Sequence, residues 1–296
     1  MNGLLVLDKP DGMTSHDVVS RVRRILGTRK VGHAGTLDPM ATGLLIIGVG
    51  RATRLLGYIS GADKTYTATI RLGRTTTTDD AEGEPLATAD RALLDALDIA
   101  TVLNGIDVLT GEIMQVPSSV SAIKVDGKRA YALARAGDEV ILAPRSVTVT
   151  EFVLLEHRYA DPWLDLDVRV TCSSGTYVRA LARDLGDELG VGGHLTALRR
   201  TKLGAWDIAD SLTLDALEHD DAPGSRLISM SASAARVFPR WKVSDDQAAM
   251  VRNGRRIDWR YDDSADPVVA IFDSEDNFLA LAEQHGPTAK YLAVFV

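Results

Sequence analysis

The chain has 296 residues, 45% of them hydrophobic and 25% charged, and a formal net charge of −8. That is the composition of a globular protein with a large core and room for two domains. No apolar run approaches a membrane span. The first residues lack the basic head and long apolar centre of a signal peptide, and a single cysteine, Cys172, excludes an internal disulfide or a thiolate zinc cluster. The expected compartment is the cytoplasm.

Leu4-Leu5-Val6-Leu7 reads as a core strand. A helix is predicted from Thr14 or Ser15, either of which can cap it. Val18, Val19, Val22, Ile25 and Leu26 share one face of it, and Gly27 ends it. Arg21 and Arg24 fall off that stripe and face solvent or a partner. Residues 32–43, Gly-His-Ala-Gly-Thr-Leu-Asp-Pro-Met-Ala-Thr-Gly, set one carboxylate, Asp38, in a loop of small residues. Taken alone, Asp38-Pro39 spells a type I turn. The run that follows, residues 44–49, is short and β-branched enough to be a buried strand. A glycine-rich loop feeding such a strand is a rigid mount for a reactive group. There is no second acid close by in sequence, no metal-ligand spacing and no Gly-Lys-Ser/Thr. A lone loop carboxylate is the raw material for covalent catalysis by an Asp nucleophile. Neither a metal nor a cofactor is predicted.

Tyr66 to Leu72 alternates with β-formers and reads as a strand. Leu164 to Cys172 alternates as well, with Leu166, Val168, Val170 and Cys172 on the core face. Asp165 and Asp167 then fall on the outer face, as solvated carboxylates rather than a metal site. Beyond Gly175 a helix carries Val178, Leu181, Leu185 and Leu189 on its buried stripe. The chain turns polar and small between Leu217 and Ser233, which divides it into residues 1–231 and 232–296. The second part is short and β-rich, with strands expected at 268–272, 278–282 and 291–296, and it carries a small acidic excess.

The charge is unevenly spread. Residues 1–60 hold eight Lys or Arg against four Asp, whereas residues 61–110 hold four against nine acids, with Asp79, Asp80, Glu82 and Glu84 in one loop. Positive potential is therefore expected around the Asp38 loop and the acidic excess elsewhere. Phosphate binding depends on local cations rather than on the total.

Gly32-His33-Ala34-Gly35-Thr36-Leu37-Asp38-Pro39 with Ala41-Thr42-Gly43 resembles the catalytic motif of the TruB-type tRNA pseudouridine synthases. Four further segments agree in the family's order: Leu7-Asp8-Lys9-Pro10 with Gly12-Met13-Thr14-Ser15, Lys64-Thr65-Tyr66, Gly175-Thr176-Tyr177-Val178-Arg179, and Leu198-Arg199-Arg200. The resemblance runs from residue 3 to about residue 215. It implies an α+β fold, a mixed but mainly antiparallel sheet flanked by helices. Residues 111–150 would be a thumb-like RNA-binding insertion, and residues 232–296 a small β-rich PUA-like RNA-binding domain. The implied reaction converts uridine 55 in the T stem-loop of tRNA to pseudouridine, without a cofactor or an obligate protein partner, in a monomer. By the same resemblance Asp38 is the nucleophile, Arg179 its guanidinium partner and Tyr66 the ring stacked on the flipped-out base. Leu198 lies beneath the base, Tyr177 is a further substrate contact, and His33 fills the space the base leaves. Lys9 and Lys64, from the opening segment and the Lys-x-Tyr motif, are assigned with them to substrate binding. Two other readings compete: a tRNA-folding binder without catalysis, and a guide-RNA-dependent relative. The thumb-like insertion favours the stand-alone enzyme.

Overall fold

The computed structural model describes residues 1–118, 142–261 and 267–295, together with the backbone ladder of Lys124–Val125 with Lys128–Arg129. Most of the predicted thumb-like insertion, including Tyr131 and Arg135, lies outside the described residues.

The predicted elements are present. Thr14 caps the Ser15–Ile25 helix through a capping box: its hydroxyl accepts from Asp17 N at 3.1 Å, and Asp17 returns a bond to Thr14 N at 2.9 Å. Gly27, at φ +60°, turns the chain out of the helix. Among the described residues the main sheet has ten strands. Its long path runs Leu212–Thr213, Gly3–Lys9, Thr42–Val49, Gly193–Leu203, Lys64–Leu72, Trp163–Cys172, Arg145–Ala160 and Gly111–Gln115. Two of its pairings are parallel, Gly3–Lys9 with Leu212–Thr213 and Gly193–Leu203 with Thr42–Val49. The others are antiparallel.

The burial patterns explain this layout. In Lys64–Leu72 every second residue is buried, as expected of a strand with one face on the core. In Thr42–Val49 nearly every residue is buried because both faces are covered. Leu45, Ile47 and Val49 join a core with Val18, Val19 and Val22 of the helix. Leu44 and Ile46 join a second core on the opposite face with Leu4, Val6, Phe272, Phe278 and Phe295. Each such side chain contributes about 1.5–3 kcal/mol on burial, so the central strands are the most firmly held part of the molecule.

The C-terminal part forms a four-stranded sheet, Arg240–Lys242, Val269–Phe272, Phe278–His285 and Thr288–Val294, beside the Asp245–Arg252 helix. Through Phe272, Phe278 and Phe295 it shares the second core with the first strands of the chain. The Met230–Val237 helix runs across the division expected after residue 231.

One expectation is corrected. Asp167 lies on the half-exposed face, bonded by Thr69, but Asp165 is buried at 3% exposure. Arg71, its neighbour in the strand register, covers it with a two-pronged bond of 2.7 and 2.8 Å. Alternation gave the face correctly but could not show that a guanidinium from the adjacent strand closes over the carboxylate. Cys172 is buried as expected, and burial pushes its thiol up to about 11.

Candidate active site

Residues 35–41 link the Val31–Ala34 and Thr42–Val49 strands and carry Asp38. The turn expected at Asp38-Pro39 is present, with Ala41 N donating to Asp38 O at 3.1 Å. Leu37 is buried and anchors the loop, and the Ser15 hydroxyl bonds both its N–H (2.9 Å) and its carbonyl (3.1 Å). Gly43, at φ +98°, brings the strand that follows against Gly193–Leu203. A Cβ there would sit 2.3 Å from Arg200 O, so only glycine lets the two strands meet. That contact sets the distance between the Asp38 loop and Leu198-Arg199-Arg200.

Arg179 enters from the first turn of the Val178–Glu188 helix and is 4% exposed. Its Nε lies 3.0 Å from Asp38 Oδ2, and the Asp38 side chain remains 38% exposed. Arg179 Nη1 donates to Thr78 O at 2.7 Å and lies 3.4 Å from Asp80 Oδ2. Asp80 is itself buried and accepts from Glu82 N at 3.1 Å. A buried guanidinium is thus held between two carboxylates, one fixed in the protein and the other facing a cleft.

This arrangement corrects the expected charge map. The acidic loop of residues 77–84 does not lie away from the site. It returns to the sheet at Leu195, whose N–H donates to Asp79 O at 3.0 Å, and so delivers Asp80 to Arg179. Asp79 pairs with Arg183 at 3.2 Å, one turn further along the helix. Burial, with Asp80, Asp38 and Asp11 nearby, raises the Glu82 carboxyl above its usual range. Two of the acids that looked like a surplus, Asp79 and Asp80, are counter-charges for the arginines of the helix.

Asp38, Arg179, Tyr66, Leu198, His33, Tyr177 and Lys64 all line one cleft of about 480 Å³. Tyr66 and Leu198 are both 7% exposed and form its apolar wall. Burial holds the Tyr66 phenol above its usual value, and the nearby Arg200 guanidinium partly offsets that rise. His33 packs edge-on to His16 at 5.4 Å, and burial pushes it down to about 4, so it is neutral near pH 7. Tyr177 N donates to Gln115 Oε1 at 2.8 Å and Gln115 Nε2 donates to Tyr177 O at 3.1 Å, which clamps the turn before the helix to the Gly111–Gln115 strand. Lys64 donates to Ser60 O and Ala62 O at 2.9 and 2.7 Å, and burial lowers it to about 8.

Lys9 is the exception among the predicted contacts. It is 1% exposed and lies beneath the Asp38 loop, donating to Pro10 O (2.9 Å), Met13 O and Pro39 O (3.0 Å). Enclosed by those carbonyls it supports the loop and cannot meet a substrate. Sequence reasoning also missed Asp80, Thr78, Gln115 and Ser15. Of these only Ser15 carried a local signal, and it was read as a helix cap.

Comparison with known proteins gives matches along most of the chain. Residues 23–178 match the TruB family pseudouridylate synthase N-terminal domain, residues 179–225 the tRNA pseudouridylate synthase B C-terminal domain, and residues 238–296 the tRNA pseudouridine synthase II C-terminal domain. The tRNA pseudouridine synthase B of Leifsonia xyli subsp. xyli is 54% identical over 297 residues, which covers 99% of this chain and 96% of the relative. The protein of the same name from Rhodococcus jostii is 53% identical over 99% of this chain and 93% of its own length. Among solved structures, a chain from the crystal structure of a Cbf5-Nop10-Gar1 complex superposes with a TM-score of 0.74 at 25% identity, covering 99% of this chain and 85% of that one. A matched TruB-family N-terminal domain over more than half its length, and relatives above 50% identity over nearly all of it, make this chain a member of the TruB family of pseudouridylate synthases.

Proposed function

We propose that the protein isomerises uridine 55 in the T arm of tRNA to pseudouridine, with Asp38 as the nucleophile. The observation that carries this reading is the half-exposed Asp38 carboxylate, paired with buried Arg179 at the mouth of a cleft walled by Tyr66 and Leu198. The relatives at 54% and 53% identity, both named tRNA pseudouridine synthase B, support tRNA as the substrate. The reaction breaks the C1′–N1 bond, turns the uracil and forms a C1′–C5 bond. C5 loses a proton and N1 gains one, so the atoms balance without a cofactor. Asp38 holds one fragment while the other turns. The uridine must leave its stack to reach the cleft, where Tyr66 offers a ring face and Leu198 an apolar side. His33, neutral and half-buried in the cleft wall, occupies the space left behind, and Tyr177 and Lys64 contact the nucleotide.

In this reading residues 1–231 carry the chemistry, with residues 111–150 as an RNA-binding insertion and residues 232–296 binding the RNA away from the cleft. The protein works as a cytoplasmic monomer with no guide RNA or obligate partner. The test is to incubate the purified protein alone with unmodified tRNA and map the modified positions. Pseudouridine at position 55, and none from Asp38→Ala although that variant still binds tRNA, is the expected result. Modification only at another position removes the target, and turnover by Asp38→Ala removes the nucleophile.

A further inference from the structure

Arg200 is the largest fully buried charged side chain among the described residues, and the mechanism above leaves it unused. It is 0% exposed, yet it lines the cleft. Two of its nitrogens are fixed by the frame of the site: Nε donates to Leu44 O at 2.8 Å and Nη2 to Gly35 O at 2.9 Å. Nη1 is buried and meets no acceptor in full hydrogen-bond geometry among the described residues, the Tyr66 hydroxyl being the polar group close to the guanidinium, and Arg200 forms no ion pair among them. A fully desolvated guanidinium with an unmet donor and no counter-charge is costly to keep. Its neighbours add to that cost, since Lys64 and His33 both feel its positive charge. An anion arriving at this point would meet a donor already oriented by two carbonyls, in a place water barely reaches.

The chemistry supplies such an anion. When C1′–N1 breaks, its electron pair passes to the uracil and spreads onto the carbonyl oxygens. If Asp38 instead adds first at C6, the displaced C5–C6 pair moves onto O4, one of the same oxygens. When C5 reaches C1′ that pair becomes the new C–C bond; the Asp38 carboxylate leaves, from C1′ in that same step or from C6 as C5 releases its proton, and N1 takes a proton up. Negative charge on a base oxygen is therefore transient and common to both routes. A phosphate, strongly hydrated, would favour the open mouth of the cleft, whereas Arg200 lies wholly beneath the surface. Its depth selects the base.

We propose that Arg200 Nη1 is a catalytic donor, bonding the uracil carbonyl oxygen on which charge accumulates while the base is detached from C1′. This inference rests on the uridine isomerisation proposed above. Arg200 is then to the base what Arg179 is to Asp38, and both guanidiniums line the same cleft.

The experiment uses the full-length protein and a T-arm stem-loop carrying uridine, 5-deuterouridine or 5-fluorouridine at the target. The loss of the starting nucleoside is followed in a single turnover. Arg200→Lys and Arg200→Gln are compared with wild type after thermal melting has shown each to be folded. Arg200→Gln retains amide donors for the Leu44 and Gly35 carbonyls, so it carries the comparison if the Lys variant unfolds. On uridine the expected loss is about 10²-fold, the scale of removing one oxyanion donor, with little change in RNA affinity. Fluorine draws charge off the base, so on 5-fluorouridine the loss should shrink by about tenfold. Deuterium at C5 should slow the variants no more than it slows wild type. Equal losses on uridine and 5-fluorouridine would show a structural role and overturn the proposal. A deuterium effect that grows in the variants would assign Arg200 to proton removal through Tyr66 and overturn it as well. Wild-type protein that leaves uridine unconverted would overturn the isomerase reading, an outcome distinct from any of these.

Discussion

Asp80→Asn tests whether the acidic loop belongs to the active site. The substitution keeps the size of the side chain and removes its charge. In the structure Asp80 Oδ2 stands 3.4 Å from Arg179 Nη1, with both side chains 4% exposed. At an effective dielectric of 20 the attraction across that gap is about 5 kcal/mol. Most of it is offset by the desolvation of the two groups, and losing one partner of a buried pair commonly costs about 3–5 kcal/mol. Arg179 would keep Asp38 and the Thr78 carbonyl, so the charge is not orphaned, and a stability loss of about 1–3 kcal/mol is expected. The larger effect should fall on the reaction. Freed from Asp80, the guanidinium can shift toward Asp38, and a displacement of about 1 Å at a reacting group can cost about 10²-fold. The assay is single-turnover pseudouridine formation on a T-arm stem-loop, with affinity measured separately and folding followed by urea titration. A folded Asp80→Asn variant that reacts within about threefold of wild type would refute the claim that Asp80 positions Arg179.

Tyr66→Phe keeps the ring, whose stacking contributes about 1–3 kcal/mol to holding a base. It should bind the stem-loop like wild type but stall before pseudouridine appears, whereas Tyr66→Leu should lose binding too; near-normal product from the Phe variant would leave Tyr66 only a stacking role. Lys64 has a folded value of about 8 against 10.5 for the free group. The unfolded chain therefore binds the extra proton between those values, and this group's contribution to stability rises with pH across that window. The melting temperature of wild type relative to Lys64→Met should accordingly climb from about pH 8 to about pH 10.5, and a flat difference would contradict the burial of the ammonium. Phe278→Ala opens a cavity where the C-terminal sheet meets the first strands, beside Phe272 and Phe295. The expected loss is about 3–4 kcal/mol in chemical denaturation, in one transition for both parts of the chain; two separate transitions would mean that the parts fold independently.

Elements whose signal is local were legible before the structure was known. The Ser15–Ile25 helix announces itself by its cap, its apolar stripe and its terminal glycine. The Lys64–Leu72 and Trp163–Cys172 strands do so by alternation, and the Asp38 turn by Asp-Pro. The resemblance of five ordered segments placed Asp38, Arg179, Tyr66, His33, Tyr177 and Leu198 in a single site, and one cleft does hold them. Periodicity assigns a residue to a face, but it does not say which residue of another strand or loop covers that face. Asp165 therefore looked solvated until the strand register put Arg71 across it. Lys9 looked like a substrate contact because a lysine in a motif carries no mark of depth. Only folding enclosed it among three carbonyls, one of them 30 positions away.

The composition of residues 77–84 read as surplus acid, since nothing local links Thr78 to an arginine 101 positions later. The same holds for Arg200, whose bonds to Gly35 and Leu44 span 165 and 156 residues. The sequence by itself determined which segments become helix, strand and reactive loop, because capping, turn and periodicity preferences act within a few residues. The tertiary structure alone decided which charges are buried and what faces them. Burial and pairing depend on sheet register and loop return, and those are set by the packing of the whole chain.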